Sequence, residues 1–231
     1  MPTPQASGSF LASAAERRPP PLSLFRSRTA AALEIFLGFV LIEAAIWDGG
    51  HLVPWAWLAL GWIAASTLTA GFAFRELGLA GRNFRPALWV AGAGLMLAAG
   101  IIALGALAGT LHLYGNHGHP APRGVLYLAW ALAQELILQS FFFLRFERIL
   151  NSGKKAVWAA GLLFFLAHVP NPVLLIAAAI TGPLLCELFR RYRNLYPLAI
   201  AHGLVGLALA AAIPDSIHHQ MKVGMAYFHW H

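Results

Sequence analysis

The sequence is poor in charged residues and in cysteine. Only 11% of its 231 residues are Asp, Glu, Lys or Arg, whereas soluble domains carry about a quarter. Hydrophobic residues make up 59% of the chain. Cys186 is the single cysteine, so the chain cannot form an internal disulfide. This composition excludes an ordinary soluble domain and predicts a membrane protein.

The sequence also lacks a long polar block and a recognisable signal peptide. Apolar runs follow one another over residues 31–213, which predicts one transmembrane domain. Arg17 and Arg18 come too late for a signal peptide, and no small-residue cleavage site ends the next apolar run. Residues 1–30, rich in Ala, Ser and Pro, are predicted to be a disordered cytoplasmic arm. Residues 214–231 are predicted to be a C-terminal tail.

Seven apolar segments approach the length needed to cross a bilayer, which is roughly 20 residues. They lie at about 31–47, 53–74, 87–111, 124–144, 155–169, 173–189 and 197–213. The predicted fold class is therefore all-α, a polytopic membrane bundle of about seven transmembrane helices.

The distribution of basic residues predicts how these helices are oriented. With the N-terminus in the cytoplasm, the inner segments hold all of the 16 Lys and Arg residues except Arg123 and Lys222. The sequence thus predicts a multi-pass protein of the inner (plasma) membrane with its C-terminus outside. The net charge of +7 is then a topology signal with some attraction to anionic membrane lipid, and no nucleic-acid partner is expected.

Ionisable side chains within the predicted spans are few, and such groups are costly in a bilayer and usually functional. Glu34 and Glu187 lie near predicted inner helix ends, within reach of water or basic neighbours. Glu43 lies nearer the outer side, close to Asp48. We interpret these three glutamates as structural.

Glu135, His168 and His202 lie on three different predicted helices yet reach a similar depth. Counting from the nearest inner basic residue at 1.5 Å per residue, Glu135 lies roughly 15 Å, His168 roughly 20 Å and His202 roughly 13 Å into the membrane. These depths converge near the middle of a hydrocarbon core about 30 Å thick. We therefore expect one shared site, the alternative being three separate interhelical hydrogen bonds.

A carboxylate and two imidazoles can carry out acid–base chemistry on water. An ionised Glu135 can take a proton from a water molecule that one histidine shares. The second histidine can donate to the oxyanion of an attacked carbonyl. Two His and one Glu are also a known zinc ligand set, but no HExxH-type pair favours a metal here. No cofactor is expected, the alternative being a metal such as zinc bound by Glu135, His168 and His202.

The stretches around these residues resemble the motifs of the CPBP family of intramembrane proteases, which includes CAAX prenyl endopeptidases and bacteriocin-processing or immunity (Abi-like) proteins. The family carries EExxxR, FxxxH and HxxxN motifs on separate helices. The matching stretches here are QELILQ at 134–139, FFLAH at 164–168 and HGLVG at 202–206. Upstream, RELGLAGRNFRPAL is similar to a common Leu-Gly-Leu segment of the family. The resemblance covers about 72–213, with its core at about 120–213.

The resemblance implies a glutamic-type intramembrane endopeptidase that cleaves a peptide or membrane-anchored protein substrate. It implies catalytic roles for three residues: His168 activates water together with the carboxylate of Glu135, and His202 binds the oxyanion. Supporting roles fall to the other motif residues, which are Gln134, Gln139, Phe164 and Gly206. The resemblance does not predict an oligomeric state.

Three positions depart from the family motifs. Gln134 replaces the first Glu, which in the family activates water; Gln139 replaces the Arg; and Gly206 replaces the Asn of the oxyanion site. An amide can orient water but cannot deprotonate it. Adjacent helical residues point about 100° apart, so Glu135 does not automatically replace the missing carboxylate. Loss of one Glu and one Arg together keeps the buried charge balanced.

Two other functions remain open at this point. One is a catalytically inactive pseudoprotease that binds a peptide or partner protein in the same cavity. The other is a small transporter that uses Glu135 and the histidines as a proton relay, although the sequence shows no internal repeat of the kind many transporters carry. Histidines at 112–119 and in the tail lie on the predicted outer side, where we expect a solvated surface rather than a metal or pH-sensing site.

Overall fold

The computed structural model describes residues 27–48, 52–112 and 120–229, and every regular element within these ranges is helical. The elements are α1 (Arg28–Trp47), α2 (Leu52–Thr69), α3 (Phe84–Leu107), α4 (Pro120–Glu135), a π-helix (Leu136–Phe143), α5 (Leu144–Leu150), α6 (Gly153–Leu166), α7 (Pro172–Tyr192), α8 (Tyr196–Ala212), α9 (Asp215–His218), a 3-10 turn (His219–Met221) and α10 (Met225–Phe228). The predicted all-α class is confirmed. The predicted N-terminal arm lies outside the described residues up to residue 26.

Each of the seven predicted apolar segments is a helix in the structure. Among the described residues, four helices are long and apolar enough to cross a membrane, and a fifth crossing is possible if α8 and the bent 215–221 segment count as one span. The four are α1, α3, α7 and the continuous helix Gly124–Leu150. Because α2, α6 and α8 have only 18, 14 and 17 residues, the count of seven crossings stays a prediction.

Local sequence signals set several of the helix limits. The Ser27 hydroxyl caps α1 by accepting from the Ala30 N–H at 3.0 Å. The buried Asn171 caps α7, where Pro172 takes the first helical position. Arg193, with a φ of 47°, ends α7 in the left-handed conformation. The turn between α6 and α7, which carries His168, is therefore held by the Asn171 cap.

Small residues bring α3 and α8 into close contact. A Cβ atom added at Gly94 would lie 2.5 Å from the Cα of Ala201, and one added at Gly105 would lie 2.7 Å from the Cβ of Ala212. Such pairing is typical of helices that pack in membranes, where close backbone approach replaces the hydrophobic effect. It fixes the position of α8 and hence of His202.

A fully buried arginine joins α5 to α1 and α2. Arg145 Nε donates to Glu34 Oε2 at 2.5 Å, its Nη1 to the Phe141 carbonyl at 3.0 Å, and its Nη2 to the Ser66 hydroxyl at 3.3 Å. The guanidinium also lies 4.1 Å from the centroid of the Phe141 ring. Glu34 therefore has a structural partner, but it meets that partner in the core and not at the water interface.

The other ion pairs at this end of the bundle lie nearer the surface. Glu187 accepts from Arg190 and Arg191, both at 2.7 Å, and Glu147 accepts from Arg193 at 2.7 Å. Their side chains are 26–62% exposed, so each contributes at most about 1 kcal/mol. This end of the bundle carries the cluster of basic residues that the sequence assigns to the cytoplasmic side.

The C-terminal segment folds back onto the bundle and is not a solvated tail. Asn171 Nδ2 donates to the carbonyls of His218 and Lys222 at 2.7 and 2.9 Å. The Gly224 N–H donates to the Val169 carbonyl at 2.9 Å. These bonds fasten residues 214–229 to the α6–α7 turn. They depend on a buried asparagine some 50 residues away, which no local pattern reveals.

Candidate active site

Glu135 lies at the point where the helix that begins at Pro120 changes from α to π geometry. Its side chain is fully buried. Its Oε1 accepts from His202 Nδ1 at 2.9 Å, and its Oε2 accepts from Gln139 Nε2 at 3.1 Å. A buried carboxylate is tolerated only when its oxygens are bonded. Both oxygens of this carboxylate have partners.

The π-helix of Leu136–Phe143 follows Glu135 directly. The Leu144 N–H donates to the Gln139 carbonyl, five residues back, as π geometry requires. Such segments within α-helices are rare and are frequently found at functional sites. The hydrogen bond between Glu135 and Gln139 thus spans the beginning of this π-helix.

His202 bonds to Glu135 through only one of its two ring nitrogens. Because a carboxylate only accepts hydrogen bonds, Nδ1 carries the proton that points to Glu135, and Nε2 of the neutral ring keeps a lone pair. A carboxylate behind an imidazole fixes its tautomer and stabilises the imidazolium form. His202 therefore has the partner of a general base.

His168 has the same tautomer for a different reason. Its Nδ1 donates to the Phe164 carbonyl at 2.6 Å, so Nε2 of the neutral ring again keeps a lone pair. The Phe164 ring lies 4.5 Å from the His168 ring and 5.8 Å from the His202 ring, centroid to centroid. One aromatic side chain therefore contacts both histidines and sets their relative position.

The two histidines border an apolar cavity of about 590 Å³. Gln134 and Tyr127 supply further polar groups, Lys222 of the C-terminal segment borders the same space, and most of the remaining wall is apolar side chains of α1, α2 and the π-helix. A neighbouring cavity of about 220 Å³ is also bordered by His168, His202 and Tyr127. Glu135 borders neither cavity and meets them only through His202.

The structure thus brings the sequence-predicted residues together in a pattern that differs from the expected roles. The sequence interpretation paired the carboxylate with His168, but Glu135 bonds to His202. Gln139, at the position of the family Arg, donates a hydrogen bond from its amide to the Glu135 carboxylate. Its Oε1 is buried and has no hydrogen-bond partner among the described residues. Gln134 points to the cavity instead of joining this pair.

Tyr127 is a residue that sequence reasoning missed. A Cβ atom added at Gly206 would lie 2.2 Å from the Tyr127 hydroxyl oxygen and 2.8 Å from two ring carbons. The phenol of α4 therefore fills the space into which a side chain at position 206 would project. In the sequence Tyr127 is one aromatic residue within an apolar run. The one sequence signal was indirect: position 206, where the family motif has an asparagine, is a glycine here.

A second polar cluster joins His112, Asp215 and His218 at the opposite end of the bundle from the basic residues. Their ligand atoms lie within 4.8 Å of one another. However, His218 Nε2 donates to the Ile213 carbonyl at 2.7 Å, and its Nδ1 accepts from the Met221 N–H at 3.1 Å. Two ligand atoms then remain, fewer than the three that a zinc site takes from its protein. The cluster reads as a structural link between the end of α3 and α9.

Several long apolar helices fit a multi-pass membrane protein, and a buried carboxylate–imidazole pair lies beside its apolar cavity. Residues 120–208 match the family model of the type II CAAX prenyl endopeptidase Rce1-like proteins. The matched stretch contains all three motif regions, so the chain is similar to this family over residues 120–208, in agreement with the resemblance of its motifs. No curated protein and no solved structure matched the chain.

Proposed function

We propose that the protein is an intramembrane endopeptidase that hydrolyses a peptide bond of a membrane-associated peptide or protein. The observation that carries this proposal is the 2.9 Å hydrogen bond between Glu135 and His202 at the wall of a cavity that His168 also borders. The apolar wall suits a hydrophobic or lipid-bearing substrate segment. The chemistry below uses no cofactor.

The reaction begins with a water molecule bound between the two histidines. His202 Nε2 accepts one proton of this water while the water oxygen attacks the carbonyl carbon of the substrate. Glu135 keeps its place and stabilises the imidazolium that forms. When the tetrahedral intermediate collapses, His202 returns the proton to the leaving amine. His168 Nε2 and the Gln134 amide orient the water.

The proposed topology follows from the distribution of Lys and Arg residues along the sequence. Seven helices cross the plasma membrane, with the N-terminus and the Arg145, Arg190 and Arg193 end of the bundle in the cytoplasm. Membrane lipid is then the surrounding partner, and no nucleic acid takes part. The short helices α2 and α6 cross by packing against longer neighbours.

A second candidate function has one observation in its favour. Gln134, and not a carboxylate, borders the cavity at the motif position that activates water in the family. A protein that binds a peptide segment without cleaving it needs no base at this position. This pseudoprotease predicts a bound partner and no turnover.

The test uses the full-length protein in proteoliposomes with quenched fluorescent peptides, prenylated and unprenylated, ending in a CAAX sequence or an apolar tail. We expect cleavage by the wild type and a loss of about 100-fold or more for His202→Ala and His168→Ala. His229→Ala is the matched control, because that histidine is exposed and lies away from the cavity. Cleavage that survives His202→Ala overturns the mechanism. A wild type that retains a peptide but never cleaves one supports the second candidate.

A further inference from the structure

Two cavities meet at one wall of the candidate site. Six residues border both the larger cavity, of about 590 Å³, and the smaller one, of about 220 Å³. They are Tyr127, Phe164, His168, Leu174, His202 and Met221. Both candidate catalytic histidines therefore belong to a wall that the two cavities share. The proposed function places the hydrophobic substrate segment in the larger cavity and leaves the smaller one without a role.

The smaller cavity lies between α3, α7 and α8, and much of its wall is made of small residues. These include Gly94 of α3, Ala177 and Ala178 of α7, and Ala201 of α8. A Cβ atom added at Gly94 would lie 2.5 Å from the Cα of Ala201, so α3 and α8 are in close contact here. The two alanines of α7 each contribute only a methyl group to the wall. A larger side chain at either position would therefore reduce the volume of the cavity.

The smaller cavity is apolar outside the shared wall. Among the described residues that border it there, two side chains carry an N–H or O–H group, and both groups already donate hydrogen bonds. The Thr181 hydroxyl donates to the Ala177 carbonyl at 2.9 Å, and Trp89 Nε1 donates to the Tyr192 hydroxyl at 3.0 Å. A polar group that enters an apolar space without a hydrogen-bond partner loses free energy. The cavity therefore selects an uncharged, apolar group.

We propose that the smaller cavity binds one aliphatic side chain next to the cleaved peptide bond, while the larger cavity holds the substrate segment on the other side. This inference rests on the proposed hydrolase function, which places that bond at the histidines. Consecutive side chains of an extended peptide point to opposite sides, about 3.3 Å apart. A bond at the shared wall therefore directs its two flanking side chains to the two cavities. The smaller cavity lies below the range of about 300–1,000 Å³ that holds whole ligands, so it suits a single side chain.

The first experiment fills the smaller cavity from α7. Ala177→Leu enlarges a half-buried side chain that borders only this cavity, and Ala179→Leu is the matched control at an exposed residue that borders neither. The substrates are quenched fluorescent peptides in proteoliposomes, whose two central residues vary among Ala, Leu, Phe and Asp. At one of the two positions, Ala177→Leu should lower kcat/KM at least about tenfold for Leu and less than about twofold for Ala, the scale of a misfit in an apolar pocket. The wild type should select against Asp at the same position.

The second experiment enlarges the same cavity from α8. Val205 borders only the smaller cavity, and Val205→Ala should raise kcat/KM for Phe relative to Leu about tenfold at the position that Ala177→Leu narrows. Val125→Ala is the control, because Val125 is exposed and borders neither cavity. Variants that change the cleavage of all peptides alike overturn the proposal, since a membrane lipid in the cavity would not distinguish between substrate side chains. If Ala177→Leu does not yield folded protein, Val205→Ala decides alone.

A binding measurement separates this proposal from the hydrolase proposal. It uses the same peptides with an N-methylated amide between the two central residues, which resists cleavage. Ala177→Leu should weaken the binding of the Leu peptide about tenfold and leave that of the Ala peptide within about twofold. This selectivity in a protein that never cleaves the parent peptides keeps the side-chain pocket and overturns the hydrolase. Cleavage by the wild type, with the same selectivity in Ala177→Leu and Val205→Ala, overturns the pocket and leaves the hydrolase standing.

Discussion

Two buried carboxylates in this protein share a setting and differ in their partners. Glu34 and Glu135 are 6% and 0% exposed, and each bonds to a basic side chain of another helix. Arg145, the partner of Glu34, stays charged at every physiological pH. His202, the partner of Glu135, carries an imidazole, a group that acts in proteins as a general base or acid. Only the second pair can take part in proton transfer.

The surroundings of the two pairs reinforce this difference. Arg145 is enclosed by the Phe141 ring and carbonyl and by the Ser66 hydroxyl, and it borders neither cavity. His202 borders both. The enclosed Glu34–Arg145 pair therefore fits a packing role, whereas the Glu135–His202 pair, which reaches a cavity through its histidine, fits the proposed site.

The largest effect on stability is expected when one partner of the enclosed pair is removed. Arg145→Met should lower the free energy of unfolding by about 3–5 kcal/mol, because it leaves the Glu34 carboxylate buried without its cation. Thermal unfolding of the full chain in detergent measures this change. Arg75→Met, at an exposed arginine, should change stability by less than about 0.5 kcal/mol. Equal midpoints for the two variants contradict the structural role of Arg145.

A smaller loss is expected when both charges are removed together. Glu34→Leu combined with Arg145→Met leaves no uncompensated charge, so the double variant should be within about 2 kcal/mol of the wild type and more stable than Arg145→Met. The same thermal measurement tests this. A double variant that loses the sum of the two single changes would show that the two residues do not act as a pair.

A substitution at the other carboxylate, Glu135, should have the smallest effect on stability. It should also change activity. Glu135→Gln keeps an amide oxygen for His202 and should cost about 1–2 kcal/mol. It removes the charge that supports the imidazolium, so peptide cleavage should fall about 10–100-fold. Glu187→Gln, at a half-exposed ion pair, should leave both quantities nearly unchanged. Full activity in Glu135→Gln would show that the Glu135 carboxylate, like that of Glu34, serves packing and not catalysis.

Much of the fold could be predicted from the sequence because its signals are local. Long apolar runs with basic residues at their ends predict seven helical segments, and each of them is helical in the structure. The helix through Glu135 is longer than predicted, since α4, the π-helix and α5 run on without a break to Leu150. Nothing in an apolar run distinguishes π from α geometry. The folded C-terminal segment was missed because its fastening residue, Asn171, lies in another part of the chain.

The candidate site, like the fold, could be predicted from the sequence only in part. The sequence by itself determined the helical class and the family motifs, because each depends on residue type and on spacing along one helix. It also predicted similar membrane depths for Glu135, His168 and His202. Only the tertiary structure decided that Glu135 bonds to His202, 67 residues away, and that Tyr127 fills the space beside Gly206. Such partners depend on how helices rotate and approach one another. The close contacts of small residues fix that approach, and periodicity within a single helix does not encode it.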